Sequence, residues 1–175
     1  MKMLRIALTL AFDRQTEAGI ERIWHDLDEQ NLRGPSTAYR PHITLAVYDV
    51  EDAERFHEKL HPFVGKFNRF PLRLDVLGMF PERGVLFLTP RMTRPLMDFH
   101  RAVIQTFGDE VIAAHLLPDC WMPHCTLAVS LAPAQMLQAM RWCQANWRPL
   151  DAECQGMGIL VLPENEDRWY SPLPR

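Results

Sequence analysis

One segment of eight residues occurs twice in this chain. Pro41-His42-Ile43-Thr44-Leu45-Ala46-Val47-Tyr48 returns 82 residues later as Pro123-His124-Cys125-Thr126-Leu127-Ala128-Val129-Ser130, identical at six positions. A second echo follows each copy, with Pro71-Leu72 and Gly78-Met79 matched 78 residues later by Pro149-Leu150 and Gly156-Met157. Self-similarity on this scale, seen only twice, points to a duplicated lobe rather than to a solenoid. The chain therefore has to fold as two copies of one pattern.

The periodicities between the echoes supply that pattern. Residues 4–12 read as a strand, and Ile20, Ile23, Trp24 and Leu27 have the spacing of a helix over 14–30. A strand over 40–48, a helix over 52–64 and strands at 70–80 and 84–88 follow. Pro90 to Pro95 connects to a helix over 95–107, a strand over 121–131, a helix over 133–146 and a strand near 150–162. The predicted fold is α+β: two pseudo-symmetric lobes, each an antiparallel sheet with flanking helices, with a cleft between them. All 175 residues form one bilobal domain, its repeats at about 4–89 and 90–162, with a polar tail over 163–175 at the surface.

With 22 acidic and 19 basic residues and a net charge of −3, the chain is not one that coats nucleic acid through bulk charge. Sixteen of the 19 basic residues are arginine, so a local site for phosphate or carboxylate remains open. No window approaches the ~18 apolar residues of a membrane span, and no membrane partner is expected. The apolar run Ile6 to Phe12 reads as a buried strand rather than a secretory signal, which points to the cytoplasm. The four cysteines contain no Cys-x-x-Cys pair, and reduced core or strand-face thiols are expected.

In a strand, side chains two apart share a face. His42, Thr44, Ala46 and Tyr48 would point one way and Ile43, Leu45 and Val47 the other, with the second copy matching. Two such faces across a cleft would oppose two histidines and two threonines. That set suits phosphodiester chemistry without a metal. One neutral imidazole takes a proton from the attacking water and the other, protonated, donates to the departing oxygen. The hydroxyls donate to the non-bridging oxygens.

On His42-Ile43-Thr44-Leu45 and His124-Cys125-Thr126-Leu127, on their separation and on the two-lobed order around them, the chain resembles the two-histidine (2H) phosphoesterases, the 2′-5′ RNA ligase-like superfamily. The resemblance spans roughly residues 4–162. It implies a phosphoric diester hydrolase that opens a cyclic phosphate, such as RNA 2′,3′-cyclic phosphate or ADP-ribose 1″,2″-cyclic phosphate, or acts on a 2′-5′ linkage, with 2′-5′ joining of RNA as its reverse. It implies His42 and His124 as the acid–base pair, Thr44 and Thr126 as phosphate-binding hydroxyls, and neither metal nor cofactor. A small nucleotide or an RNA terminus is the expected partner of a monomer. The bacterial RNA ligase-like branch often has an arginine soon after the second motif, where this chain has Ala128-Val129-Ser130. Arg40 and Arg168 are candidate substitutes, and Tyr48, Trp169 and Tyr170 are candidate substrate contacts.

Two other readings compete. A nucleotide- or RNA-binding module of the same fold would bind without turnover. His57-Glu58-Lys59-Leu60-His61 matches the signature of zinc peptidases. Pro62 is expected to end that helix at the second ligand, and no third ligand is placed, although Glu82 remains a candidate. His25, His100 and His115 lie outside the repeat and read as structural or solvated.

Overall fold

The computed structural model describes residues 3–35, 39–108 and 111–175. β1 (Leu4–Phe12), α1 (Arg14–Glu29), β2 (His42–Val50), α2 (Ala53–Val64) and β3 (Phe70–Phe80) come first. β4 (Val85–Pro90), α3 (Arg94–Phe107), β5 (Cys125–Ala128), α4 (Pro133–Asn146) and β6 (Leu150–Leu162) repeat the order, and β7 (Glu166–Pro172) ends the chain. The second round starts at Val85, a few residues ahead of the boundary expected at 90. No helix of the described residues is long and apolar enough to cross a membrane.

All pairings are antiparallel within one sheet of order β2-β1-β6-β3-β4-β5, with β7 beside the C-terminal part of β6. The third strand of each repeat has crossed over: β6 completes β1 and β2, and β3 completes β4 and β5. At the centre β3 and β6 pair with each other, Arg73 opposite Asp151, two positions separated by the 78 residues of the sequence echo. That pair lies on the pseudo-two-fold axis, and the Arg73 guanidinium donates to the Asp151 carboxylate. The halves thus share a continuous sheet through which the core is common.

Local signals account for the elements. Asp13 caps α1 by accepting from the Thr16 N–H at 2.9 Å, and it also accepts the Glu153 N–H at 2.9 Å, fixing the helix start to β6. The predicted stripe Ile20, Ile23, Trp24 and Leu27 is buried. Asp52 caps α2 through the Glu54 and Arg55 N–H groups. α2 runs to Val64, as the 52–64 periodicity predicts, and Pro62 does not end it, contrary to the expectation from its position. A proline forfeits one helical hydrogen bond, and Phe63, packed on Phe67 and Phe107 at 5.0 and 5.3 Å, holds the last turn in the core.

Two further expectations are corrected. β5 is shorter than 121–131, because Pro123 has no N–H to give and the Val129 N–H goes to Arg33 O at 2.8 Å. The tail over 163–175 is not merely surface: β7 extends the sheet, with Ser171 and Leu173 buried at alternate positions.

The turn between β3 and β4, a short 3-10 stretch at Pro81–Arg83, closes on Gly84 with φ +60°. The Leu131 N–H donates to Gly84 O at 3.0 Å, and a Cβ at Gly84 would lie 2.4 Å from Leu131 O. Gly84→Ala is expected to cost on the order of 2 kcal/mol, from the left-handed backbone together with the displaced Leu131, as read by urea denaturation.

Candidate active site

The two histidine strands each carry a bulge in the same place. β2 pairs Thr44 with Thr9 but Ala46 with Leu8, so it holds one extra residue. β5 pairs Thr126 with Phe87 but Ala128 with Leu86. An extra residue reverses the alternation beyond it. His42 and Thr44 keep one face, as do His124 and Thr126, and all four are half-buried. Past the bulge Ala46 and Ala128 turn inward, and Val47 takes the cleft position next to Thr44. Tyr48 is carried into the core with them, fully buried and 5.0 Å from the Phe56 ring, and is not a substrate contact.

The imidazoles are held alike. His42 Nδ1 lies 2.8 Å from Arg40 O and His124 Nδ1 2.8 Å from Met122 O, each the carbonyl two residues earlier across a proline. A carbonyl only accepts, so Nδ1 carries the proton and Nε2 is the nitrogen left for chemistry. Tyr39 meets the His42 ring edge-on at 5.3 Å, and Phe80 and Phe87 flank the His124 ring at 5.1 and 5.2 Å. Burial lowers the pKa of His42, opposed by the bond to Arg40 O and by Asp167, and reinforced by His124. Burial likewise lowers that of His124, opposed by Met122 O and reinforced by His115 and Arg83. Asp167 also accepts the Arg40 N–H at 2.6 Å, so β7 steadies the residue that steadies His42.

Backbone carbonyls at both motifs receive an indole N–H from the other repeat. Trp24 Nε1 donates to Thr126 O at 3.0 Å, and Trp121 Nε1 donates to Thr44 O at 3.0 Å. Buried His100 on α3 lies flat against Trp121, ring centroids 3.7 Å apart, and its Nε2 donates to Leu45 O at 3.2 Å. The Arg33 guanidinium covers Trp24 at 4.5 Å.

The cleft has two sides, with Thr44 and Thr126 lining both. The His42 side has a volume of about 160 Å³ and is walled by Trp24, Tyr39, Leu160 and Asn165. The His124 side has about 770 Å³ and is walled by Phe80, Arg83, His115 and Met122. The four motif residues are therefore brought together as expected.

The other candidates are not in the lining. The Arg40 guanidinium pairs with Glu17 at 3.1 Å and lies 4.7 Å from the Tyr170 ring, which itself packs over Gly156. Arg168 pairs with Glu166 at 2.9 Å, and with Trp169 it borders a separate groove along α2. His57 stacks on Trp169 at 5.7 Å with Nε2 3.3 Å from Ser171 Oγ. Among the described residues three metal-ligating atoms gather within 4.8 Å of one another only at His25, Asp26 and Glu29, an outer cluster on α1, and not at His57 and His61. Burial pushes the Cys125 thiol up to about 12, as expected of a core thiol.

A family profile described as the 2′-5′ RNA ligase superfamily matches residues 12–166, and the chain belongs to that family, the 2H phosphoesterases. The fold is that of Escherichia coli LigT in its apo form (TM-score 0.63, 19% identity, 100% of this chain and 97% of that one). LigT complexed with 3′-AMP is similar as well (0.62, 18%, 99% and 96%), as is the protein TT0787 of Thermus thermophilus (0.63, 16%, 97% and 97%). No curated protein matches the sequence.

Trp121→Phe keeps a ring against His100 but leaves Thr44 O without its donor. A loss of about 1–3 kcal/mol is expected, with a similar loss for Trp24→Phe at Thr126 O, both read by urea denaturation. Acid should weaken the fold. His42, His100 and His124 all have lowered folded pKa values. The unfolded chain therefore binds protons that the folded one resists, and stability is full above the ordinary ~6.5 and lost as pH falls below it. Urea midpoints measured from pH 7.5 to 5 should hold to about pH 6.5 and fall below it.

Proposed function

We propose that this chain is a metal-independent phosphodiesterase that opens a cyclic phosphate, or cleaves a 2′-5′ linked nucleotide or RNA end, with His42 and His124 as its acid–base pair. What carries the assignment is the matched pair of imidazoles, each with Nδ1 tied to a carbonyl and each beside a threonine of one cleft. The neutral imidazole takes a proton from water through Nε2 as the water oxygen bonds to phosphorus. The protonated one gives its Nε2 proton to the ester oxygen as the second P–O bond breaks. Thr44 and Thr126 donate to the non-bridging oxygens, where negative charge accumulates.

The electrostatics set the pH at which this state forms: burial favours the neutral form of both rings, so the proton that one of them needs is taken up below the ordinary imidazole value. A charge on His124 further opposes protonation of His42, so the second proton is resisted more than the first and a singly protonated pair lies between the two steps. Crystals of E. coli LigT hold 3′-AMP, ATP or NADP+, which supports a nucleotide as the ligand class. The same assignment puts the chain in the cytoplasm as a monomer without a cofactor.

Hydrolysis of a nucleoside 2′,3′-cyclic phosphate in excess EDTA tests it. Turnover should survive the chelator, and His42→Ala and His124→Ala should each lower kcat by about 10²–10⁴-fold. Thr44→Val and Thr126→Val should lower it by about 10²-fold. The kcat/KM profile should be a bell whose optimum lies below the ordinary imidazole value of ~6.5. Full activity in either histidine variant, or loss of turnover with EDTA, overturns the paired mechanism.

A further inference from the structure

The two sides of the cleft share the motif threonines but differ in the charge beside them. Each is flanked by a turn that follows the third strand of a repeat and begins Pro-Glu: Pro81-Glu82-Arg83 after β3 and Pro163-Glu164-Asn165 after β6. Asn165 lines the His42 side and Arg83 the His124 side. The same place in the pattern thus holds a neutral amide in one half and a guanidinium in the other.

Arg83 is presented rather than consumed. Among the described residues no carboxylate lies within ion-pair distance of it, although its neighbour Glu82 lines the same side. Its turn is anchored by the Leu131 N–H on Gly84 O. His115 lines the same side, and both residues bear electrostatically on His124. The reacting phosphate belongs between the two threonines, which line both sides of the cleft, whereas Arg83 and His115 line only one. They are therefore off-centre. The volumes differ in the same sense: about 770 Å³ lies within the ~300–1,000 Å³ of small-molecule sites and about 160 Å³ below it.

We propose that Arg83, with His115, forms an anion subsite on the His124 side of the cleft, which takes a second phosphate of the substrate beyond the one that reacts. This rests on the function proposed above and narrows it: the preferred substrate is a nucleotide with two phosphate groups, the second either terminal or bridging to a further nucleoside. A guanidinium meets such a group with two parallel N–H donors, and phosphate is the anion that suits its fork.

Binding tests this without turnover. Adenosine 3′-monophosphate, adenosine 3′,5′-bisphosphate and a diadenosine ending in a 3′-phosphate would be titrated calorimetrically into wild type, Arg83→Gln and His115→Gln. In wild type at least one of the doubly phosphorylated ligands should bind about tenfold tighter than the monophosphate, as one charge-assisted contact gives, and which one does so tells a terminal from a bridging phosphate. Arg83→Gln should bring both down to the monophosphate level, with a smaller drop for His115→Gln. Equal binding of all three ligands to wild type overturns the subsite alone, as does a preference that persists in Arg83→Gln. A loss in Arg83→Gln that is the same for all three assigns Arg83 to the reacting phosphate and also overturns it. Absence of binding by every ligand overturns the subsite together with the nucleotide function.

Discussion

Two indole N–H groups, each crossing from one repeat to a threonine carbonyl of the other, are the interaction on which the site geometry depends. A bulge removes a residue from the ladder and leaves backbone polar groups to be met by other means. Here Thr44 O takes Trp121 Nε1, Leu45 O takes His100 Nε2 and Thr126 O takes Trp24 Nε1. A buried carbonyl without a donor costs about 1–3 kcal/mol, so each bulge is stable only where the opposite half is docked. The relative placement of Thr44 and Thr126 is then a property of the assembled molecule. Neither repeat alone could hold it.

The crossed strands enforce the same dependence at larger scale. β6 sits between β1 and β3, and β3 between β6 and β4, so no three-stranded half of the sheet is built from one repeat. The Arg73–Asp151 pair on the axis is exposed and screened, so it contributes register more than energy. The energetic link is the shared core, into which β1 brings Ile6, Leu8 and Leu10 and β6 brings Met157, Ile159 and Val161. The proposed acid–base pair, drawn from two repeats, would need that rigidity, because an imidazole displaced by an ångström no longer meets the oxygen it must serve.

His42, Thr44, His124 and Thr126 were legible because a two-residue spacing needs only local strand geometry, and the duplication separated signal from accident. Tyr48 was misplaced by the same rule applied three residues too far. Neither copy of Thr-Leu-Ala contains the glycine or proline that marks a bulge, so the reversal of parity was invisible. Trp24 and Trp121 were hidden for another reason: their partners are backbone carbonyls 102 and 77 residues away, and a carbonyl leaves no residue type to recognise. Asp167 was read as tail because β7 is exposed over most of its length, with Trp169 half-buried, Ser171 buried and Leu173 buried just beyond its end. Pro62 shows a local rule outweighed by packing, one lost hydrogen bond against the buried rings around Phe63.

Duplication makes the two histidines chemically alike, and that alone would leave a substrate without a preferred orientation. An ester bond has two distinct sides, since one oxygen arrives and the other leaves. The proposed acid–base pair is symmetric, so on that proposal direction has to come from what surrounds it. The His42 side is narrow and bounded by Trp24, Tyr39 and the neutral Asn165, and the His124 side is wide and bears Arg83 and His115. On the proposed subsite, a substrate with a bulky, anionic part would place that part on the His124 side, and this would fix which ester oxygen faces which imidazole. A duplicated site can keep both histidine motifs alike and still distinguish the two ends of a ligand, by changing only the turns at its edge.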